Sequence, residues 1–142
     1  MHVAKILETK GTDTVTISSK AQVADAIELL NNHNIGALVV IDDSARVVGI
    51  LSERDIVRRL RSFAGQLLSQ PITAIMTKDP VTCTREESVD DVMELMTSRH
   101  FRHLPVVEGG RLVGVISIGD VVKTKIAVTE HEAAALREYI AS

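Results

Sequence analysis

The chain has 142 residues, 45% of them hydrophobic, and a formal net charge of −3, which suits one ordinary domain or two small repeats sharing an interior. Aromatic residues make up only 2%, so the core must be built from Val, Ile, Leu, Ala and Met, and the stacking platforms of single-stranded nucleic-acid binders are missing. No basic field, membrane-spanning apolar run or secretory leader is evident, and the lone Cys83 excludes an intrachain disulfide, so the expectation is a cytoplasmic protein without nucleic-acid or membrane partners.

Residues 3–8, VAKILE, predict a short apolar helical turn closed by Gly11. Val15 and Ile17 alternate with Thr16 and Ser18, the period of a short strand. A helix opening at Ser19 follows, with Val23, Ala26, Ile27 and Leu30 on one face and a stop in the turn-forming residues 31–34. Residues 37–41 and 47–51 read as a hairpin around the polar turn DDSAR, and a helix runs from about Glu53 to Arg61. Residues 62–71 are a polar connector ended by Pro71.

The pattern then repeats. ITAIM is a second leading turn, 81–83 a strand, 88–98 a helix, 103–107 and 112–116 a hairpin around EGG, and 118–128 a helix. Shifted by 66 residues, Val81, Thr82, Val89, Asp91, Glu94, Leu95, Leu104 and Val106 fall on identical residues. After one deletion in the turn, Arg111, Val113, Gly114, Ser117, Asp120 and Val122 do so as well. The expectation is a repeat at 1–65, a linker at 66–72, a second repeat at 73–128 and a separate C-terminal helix at 129–142. Each repeat reads β-α-β-β-α, an α+β fold. Because one copy of ~60 residues buries a marginal core, the two should pack sheet to sheet about a pseudo-twofold axis. Outward apolar residues Val57, Leu60, Val121 and Val122 predict that the outer helices are covered by a partner.

GILSERD at 49–55 and GVISIGD at 114–120 carry the chemistry. Each runs a buried strand into a serine and, three residues on, an aspartate at a helix start, which gathers a hydroxyl, free backbone N–H groups and a carboxylate. A carboxylate accepts from two vicinal hydroxyls at once, so the arrangement suits a phosphorylated sugar. The competing role for Asp55 and Asp120 is helix capping, which favours aspartate whatever the ligand. Duplication together with Ser52 and Ser117 weighs toward the ligand. No catalytic set emerges: neither serine has a histidine placed to deprotonate it, phosphate-binding glycine loops are absent, and the aspartates fall one per repeat. His100 and His103 lack a completing carboxylate or cysteine, so no metal is expected.

With these motifs, the segment RHFRHLPVV and the two leading turns followed by VTI and VTC, the chain from Val3 to about Val128 resembles the CBS domain. That regulatory repeat is named from cystathionine β-synthase, and a pair of them is called a Bateman module. The resemblance implies a regulatory module that binds an adenine nucleotide in clefts between the repeats, AMP first, with ADP, ATP or NAD(H) as alternatives. It also implies a flat homodimer that signals to an effector protein. Asp55 and Asp120 would hold ribose hydroxyls, and Ser52 and Ser117 would contact the ribose or phosphate. The first strand of the opposite repeat would surround the base, with Thr14, Thr16 and Ile17 facing Asp120 and Pro80, Thr82 and Cys83 facing Asp55. The Asp120 cleft is expected to be the main one, opened by Gly119, walled by Ile35, Gly36 and Ala37, and served by Lys20. The Asp55 cleft should be smaller and more cationic, with Arg54, Arg58, Arg102 and His103 for phosphates. Arg59, Arg61 and Arg99 read as solvated helix faces. The alternative is a ligand-independent assembly protein with vestigial clefts.

Overall fold

The computed structural model describes residues 1–141. Helix α1 (Val3–Lys10) ends at Gly11, whose φ of 95° favours glycine and whose N–H donates to the Leu7 carbonyl. Strand β1 (Thr16–Ser18) lies parallel to β2 (Ala37–Ile41), β2 antiparallel to β3 (Val47–Ser52), and β3 antiparallel to the two-residue β4 (Thr77–Lys78), giving a four-stranded sheet. Helix α2 (Val23–His33) opens at Gln22 rather than at Ser19, because the Asp25 carboxylate reaches back to accept from the Gln22 N–H. It stops at Asn34, which adopts the left-handed conformation. Helix α3 (Glu53–Phe63) follows β3 directly.

The second repeat holds α4 (Val89–Arg99), the hairpin of β5 (His103–Glu108) and β6 (Arg111–Ser117), and α5 (Ile118–Ala141). The strand expected at 81–83 is reduced to one parallel bridge between Cys83 and Val106. Cys83 N–H donates to the Pro105 carbonyl, and the Cys83 carbonyl accepts from Val107 N–H. Extending the ladder toward Val81 would need an N–H at position 105, and proline has none. Residues 129–141 continue α5 in one piece instead of forming a separate helix, and Ser142 lies outside the described residues. No glycine or proline interrupts residues 129–141, and the Thr129 hydroxyl is absorbed by the Lys125 carbonyl at 2.9 Å.

Two hydrophobic cores form, and each borrows a segment from outside its own repeat. Val3, Ile6 and Leu7 of α1 pack with Val92, Met96, Leu104 and Ile116 of the second repeat. Leu67, Ile72 and Ile75 pack with Ala26, Leu38 and Leu51 of the first. The expected polar connector holds the 3₁₀ turn Ala64–Ser69, the expected second leading turn is the 3₁₀ turn Ile72–Ala74, and both seal the first core. Backbone bonds lock both exchanges: Val89 N–H donates to the Met1 carbonyl and Val23 N–H to the Gln70 carbonyl, each at 2.9 Å. Val121, expected on the outer face, is instead fully buried in the second core, while Val57, Leu60 and Val122 are exposed. Burial pushes the Cys83 thiol up to about 12, so it remains protonated and inert at neutral pH. Among the described residues no helix is long and apolar enough to cross a membrane.

Candidate functional site

Each Ser-x-x-Asp motif sits at the junction of a strand and a helix, and in both repeats the start of the preceding strand is tied to it. Glu53 N–H donates to the Gly36 carbonyl at 3.0 Å, and Ile118 N–H to the Arg102 carbonyl at 2.8 Å. Gly36 and Ala37 therefore lie beside Ser52 and Asp55, and Arg102 and His103 beside Ser117 and Asp120. The two junctions also face each other, since a Cβ placed on Gly36 would stand 3.5 Å from the His103 ring.

A cavity of about 710 Å³ opens at this meeting point, within the range of small-ligand and cofactor sites. Around Ser52 and Asp55 it is lined by Gly36, Ala37, Ile50, Pro80, Val81 and Phe101, and by His103 from the other repeat. Arg54, Arg58, Arg99 and Arg102 bring four guanidinium groups to the same walls, against the carboxylates of Glu53 and Asp55. None of the four is held in an ion pair among the described residues.

Ser52 and Asp55 form a reciprocal cap. The Ser52 Oγ accepts from Asp55 N–H at 3.2 Å, and Asp55 Oδ2 accepts from the Ser52 N–H at 2.9 Å and from its hydroxyl at 3.0 Å. The N-cap is thus Ser52 and not Asp55, which completes the cap from the third helical position through Oδ2 and leaves Oδ1 without a hydrogen bond from any described residue. Capping and diol binding are compatible in one carboxylate.

The second motif is built alike and filled differently. Asp120 N–H donates to Ser117 Oγ at 3.1 Å, and Asp120 Oδ2 accepts from Ser117 N–H at 2.8 Å and from Lys10 Nζ at 2.7 Å. Lys10 also donates to the Val115 carbonyl at 2.8 Å. Burial would raise the Asp120 carboxyl, but the Lys10 ammonium and Ser117 together outweigh it and hold the group below the usual carboxylate range. A groove of about 650 Å³ between α1 and α5 runs past this ion pair.

Several expected positions move. Gly36 and Ala37 line the Asp55 cavity and not a wall of the Asp120 site. Lys20 is held by Asp43 at 2.8 Å at the exposed β2–β3 turn, with its pKa raised by that bond, and it serves neither motif. No hydrogen bond joins Asp120 to Thr14, Thr16 or Ile17 among the described residues. Thr14 and Thr16 are half-buried and Ile17 packs in the first core, as does half-buried Ile35 from outside it. Cys83 is buried and spends both backbone groups on β5, so Pro80 and Val81, not Thr82 and Cys83, form the wall opposite Asp55. Gly119 is exposed, and a Cβ there would meet Ser117 Oγ at an ordinary 3.6 Å. Arg99, read as a solvated face, lines the cavity. Lys10 has no sequence signal, because its partner lies 110 positions away.

His103 sits between the two motifs and is pushed below the ordinary histidine value, first by burial and then by Lys10 and Arg102, against the opposing pull of Asp120 and Glu53. The folded state therefore holds the proton less well than the unfolded chain, whose histidine titrates near ~6.5. Stability is present above that value and lost as pH falls through the folded one. The melting temperature should drop as pH falls from about 7 to about 5.5, and less steeply in His103→Gln; parallel profiles for the two proteins would count against this role.

A family model described as CBS domain matches residues 4–62 and 72–126. The chain belongs to the CBS domain family. Its fold is that of CBS domain pairs: it matches the CBS-domain protein ATU1752 of Agrobacterium tumefaciens at 42% identity and a TM-score of 0.85, covering 88% of this chain and 99% of that one. It also resembles the CBS domain pair of protein MJ0100, solved with 5′-methylthioadenosine and S-adenosyl-L-methionine, at 27% identity, a TM-score of 0.79 and coverage of 89% and 97%. CBSX2, solved in complex with AMP, matches at 25% identity and a TM-score of 0.71, covering 82% of this chain and 90% of that one. The chain spans 74% of a 17.7 kDa relative of Acidianus ambivalens, to which it is 34% identical, and 59% of the mitochondrial CBSX3 of Arabidopsis thaliana, at 35% identity.

Proposed function

We propose that this CBS pair is a regulatory module that binds an adenosine nucleotide in the cavity at Asp55 and reports its occupancy to an effector protein. The observation that carries the reading is one cavity of about 710 Å³ that combines an acceptor for a ribose diol with four guanidinium groups that make no ion pair among the described residues. Adenosine ligands in the related MJ0100 and CBSX2 pairs support the class. The guanidinium groups favour a phosphorylated ligand over a sulfonium, because a cationic wall attracts one and repels the other. AMP is therefore placed ahead of S-adenosylmethionine, with ADP, ATP and NAD(H) as longer relatives whose phosphates extend along Arg54, Arg58, Arg99 and Arg102. His103 joins them, and an arriving phosphate stabilises its protonated form.

The serines cap helices and no histidine is bonded to either among the described residues, so the reading assigns them no chemistry. Val57 and Leu60 on α3 and Val122 and Ile126 on α5 are 41–65% exposed. Such a face supports a homodimer as the frame through which occupancy reaches the effector. A thermal-shift series with AMP, ADP, ATP, NAD(H) and S-adenosylmethionine tests the proposal. A nucleotide at a hundred times its dissociation constant should stabilise by ~2.7 kcal/mol, with AMP above S-adenosylmethionine. No shift from any of them at millimolar concentration would leave the ligand-independent assembly reading in its place.

A further inference from the structure

Residues 129–141 lie beyond the stretch that the repeats require, and all of them except Ala133 are exposed. A helical segment so little covered is marginal on propensity alone. Its apolar residues are nevertheless ordered along one line: Val122, Ile126, Thr129, Ala133, Leu136 and Ile140 recur at spacings of four, three, four, three and four. Positions 122, 129 and 136, and positions 126, 133 and 140, are each seven apart, the heptad spacing that marks the seam of a left-handed coiled coil. Val122 is 41% exposed, Ile126 53%, Leu136 59% and Ile140 75%. Thr129 presents a methyl group, since its hydroxyl is already bonded to the Lys125 carbonyl. The side of α5 that serves the protein's own fold is a different one: Val121 enters the core, and Lys123, Thr124, Ala127 and Val128 face the groove beside α1.

The flanking charges select both the occupant and its direction. Lys123, Glu130 and Arg137 border the seam on one side, and Lys125 and Glu132 on the other. In a parallel, in-register pair of α5 helices each flanking residue meets the one five positions on in the other copy. Glu132 then meets Arg137 and Lys125 meets Glu130, with the symmetry mates doubling both. Lys125 already bonds Asp90 at 2.8 Å, so the Glu132–Arg137 contact carries more of the preference. In the antiparallel register that opposes the whole seam, Glu130 meets Glu130, Glu132 meets Glu132 and Lys123 meets Arg137, three like-charged contacts, and Lys125 meets only the uncharged Tyr139. Each such pair is weak, yet together they choose orientation.

We propose that the distal part of α5 pairs with that of a second copy of the chain as a parallel two-stranded coiled coil. This rests on the homodimer reading above and deepens it, since it fixes that like ends of the two copies meet. The test uses the full chain in sedimentation equilibrium. Leu136→Asp combined with Ile140→Asp, at exposed positions outside both repeat cores, should raise the dimer dissociation constant by roughly tenfold or more. Glu132→Arg should weaken the dimer, and Glu132→Arg with Arg137→Glu should restore it. Under mild oxidation Ile140→Cys should yield a disulfide-linked dimer, because parallel pairing brings the two copies of position 140 together and Cys83 is buried. A dimer that keeps its affinity in the double aspartate variant, or fails to cross-link through position 140, overturns the coiled coil and leaves the homodimer on α3 and α5 standing. A wild-type chain that stays monomeric at every concentration removes both.

Discussion

Asp55→Ala is expected to abolish most nucleotide binding, raising the dissociation constant by roughly a hundredfold or more, while Asp120→Ala retains most of it. A carboxylate accepting from two ribose hydroxyls makes two charge-assisted bonds, each worth ~1.5–3 kcal/mol. The alanine variant also loses half of a capping box, which costs about 1 kcal/mol of stability. Asp55→Asn separates the effects, because its side-chain oxygen can still accept from the Ser52 N–H while the charge is gone. Isothermal titration of folded Asp55→Asn should therefore show the binding loss without the full stability loss. The sequence favours the opposite order, since Gly119 opens the Asp120 motif. The structure sends Gly36 and Ala37 to the other cavity and sets the Lys10 ammonium 2.7 Å from the Asp120 carboxylate. A ligand there would have to displace or share Lys10. Should Asp120→Ala prove the more damaging of the two, the second motif is the site and Lys10 is a phosphate ligand.

Gly114→Ala is expected to destabilise the fold by ~1–3 kcal/mol, and Gly49→Ala by less. The two glycines are equivalent by repeat, and neither has a positive φ, so their reason is close approach rather than backbone freedom. A Cβ on Gly114 would stand 2.6 Å from Leu7 Cδ2, in the seam where α1 docks on the second repeat. Leu7 is 3% exposed and α1 is held by backbone bonds from Val3 and Ala4 to Glu87 and Arg85, so neither the side chain nor the helix can step aside. A Cβ on Gly49 would stand 2.5 Å from the sulfur of Met76, a flexible side chain that is only half-buried and can turn away. Thermal melts of the two variants give the contrast. Combining Gly114→Ala with Leu7→Ala should make the glycine substitution nearly neutral, and a cost that persists in that background would refute the steric account.

Features set by neighbours a few residues apart were legible in the sequence. The duplication and the two hairpins appear there because periods of 2 and 3.6 and turn chemistry are local properties of the chain. The sequence also pointed to capping at both motifs but assigned it to the aspartates, whereas in the structure Ser52 and Ser117 accept at the helix starts and Asp55 and Asp120 reach back from three residues on. The start of α2 was misplaced by local competition: Ser19 is a good cap, but Asp25 reaches the Gln22 N–H and makes the better one. The unbroken α5 had a local signal too, the lack of any glycine or proline between Asp120 and Ala141.

Tertiary packing alone decided the rest. It seated α1 in the second core and the 3₁₀ turns in the first, cut the strand at Cys83 to one bridge opposite a proline, and shared one cavity between Gly36 and His103. It also answered one of two near-identical carboxylates with Lys10 and left the other without an ion pair among the described residues. Those outcomes depend on groups far apart along the chain whose meeting is set by how two small cores close against each other. Spacing within either repeat carries no record of that closure, because the copies are alike in sequence where they differ in what the opposite half brings to them.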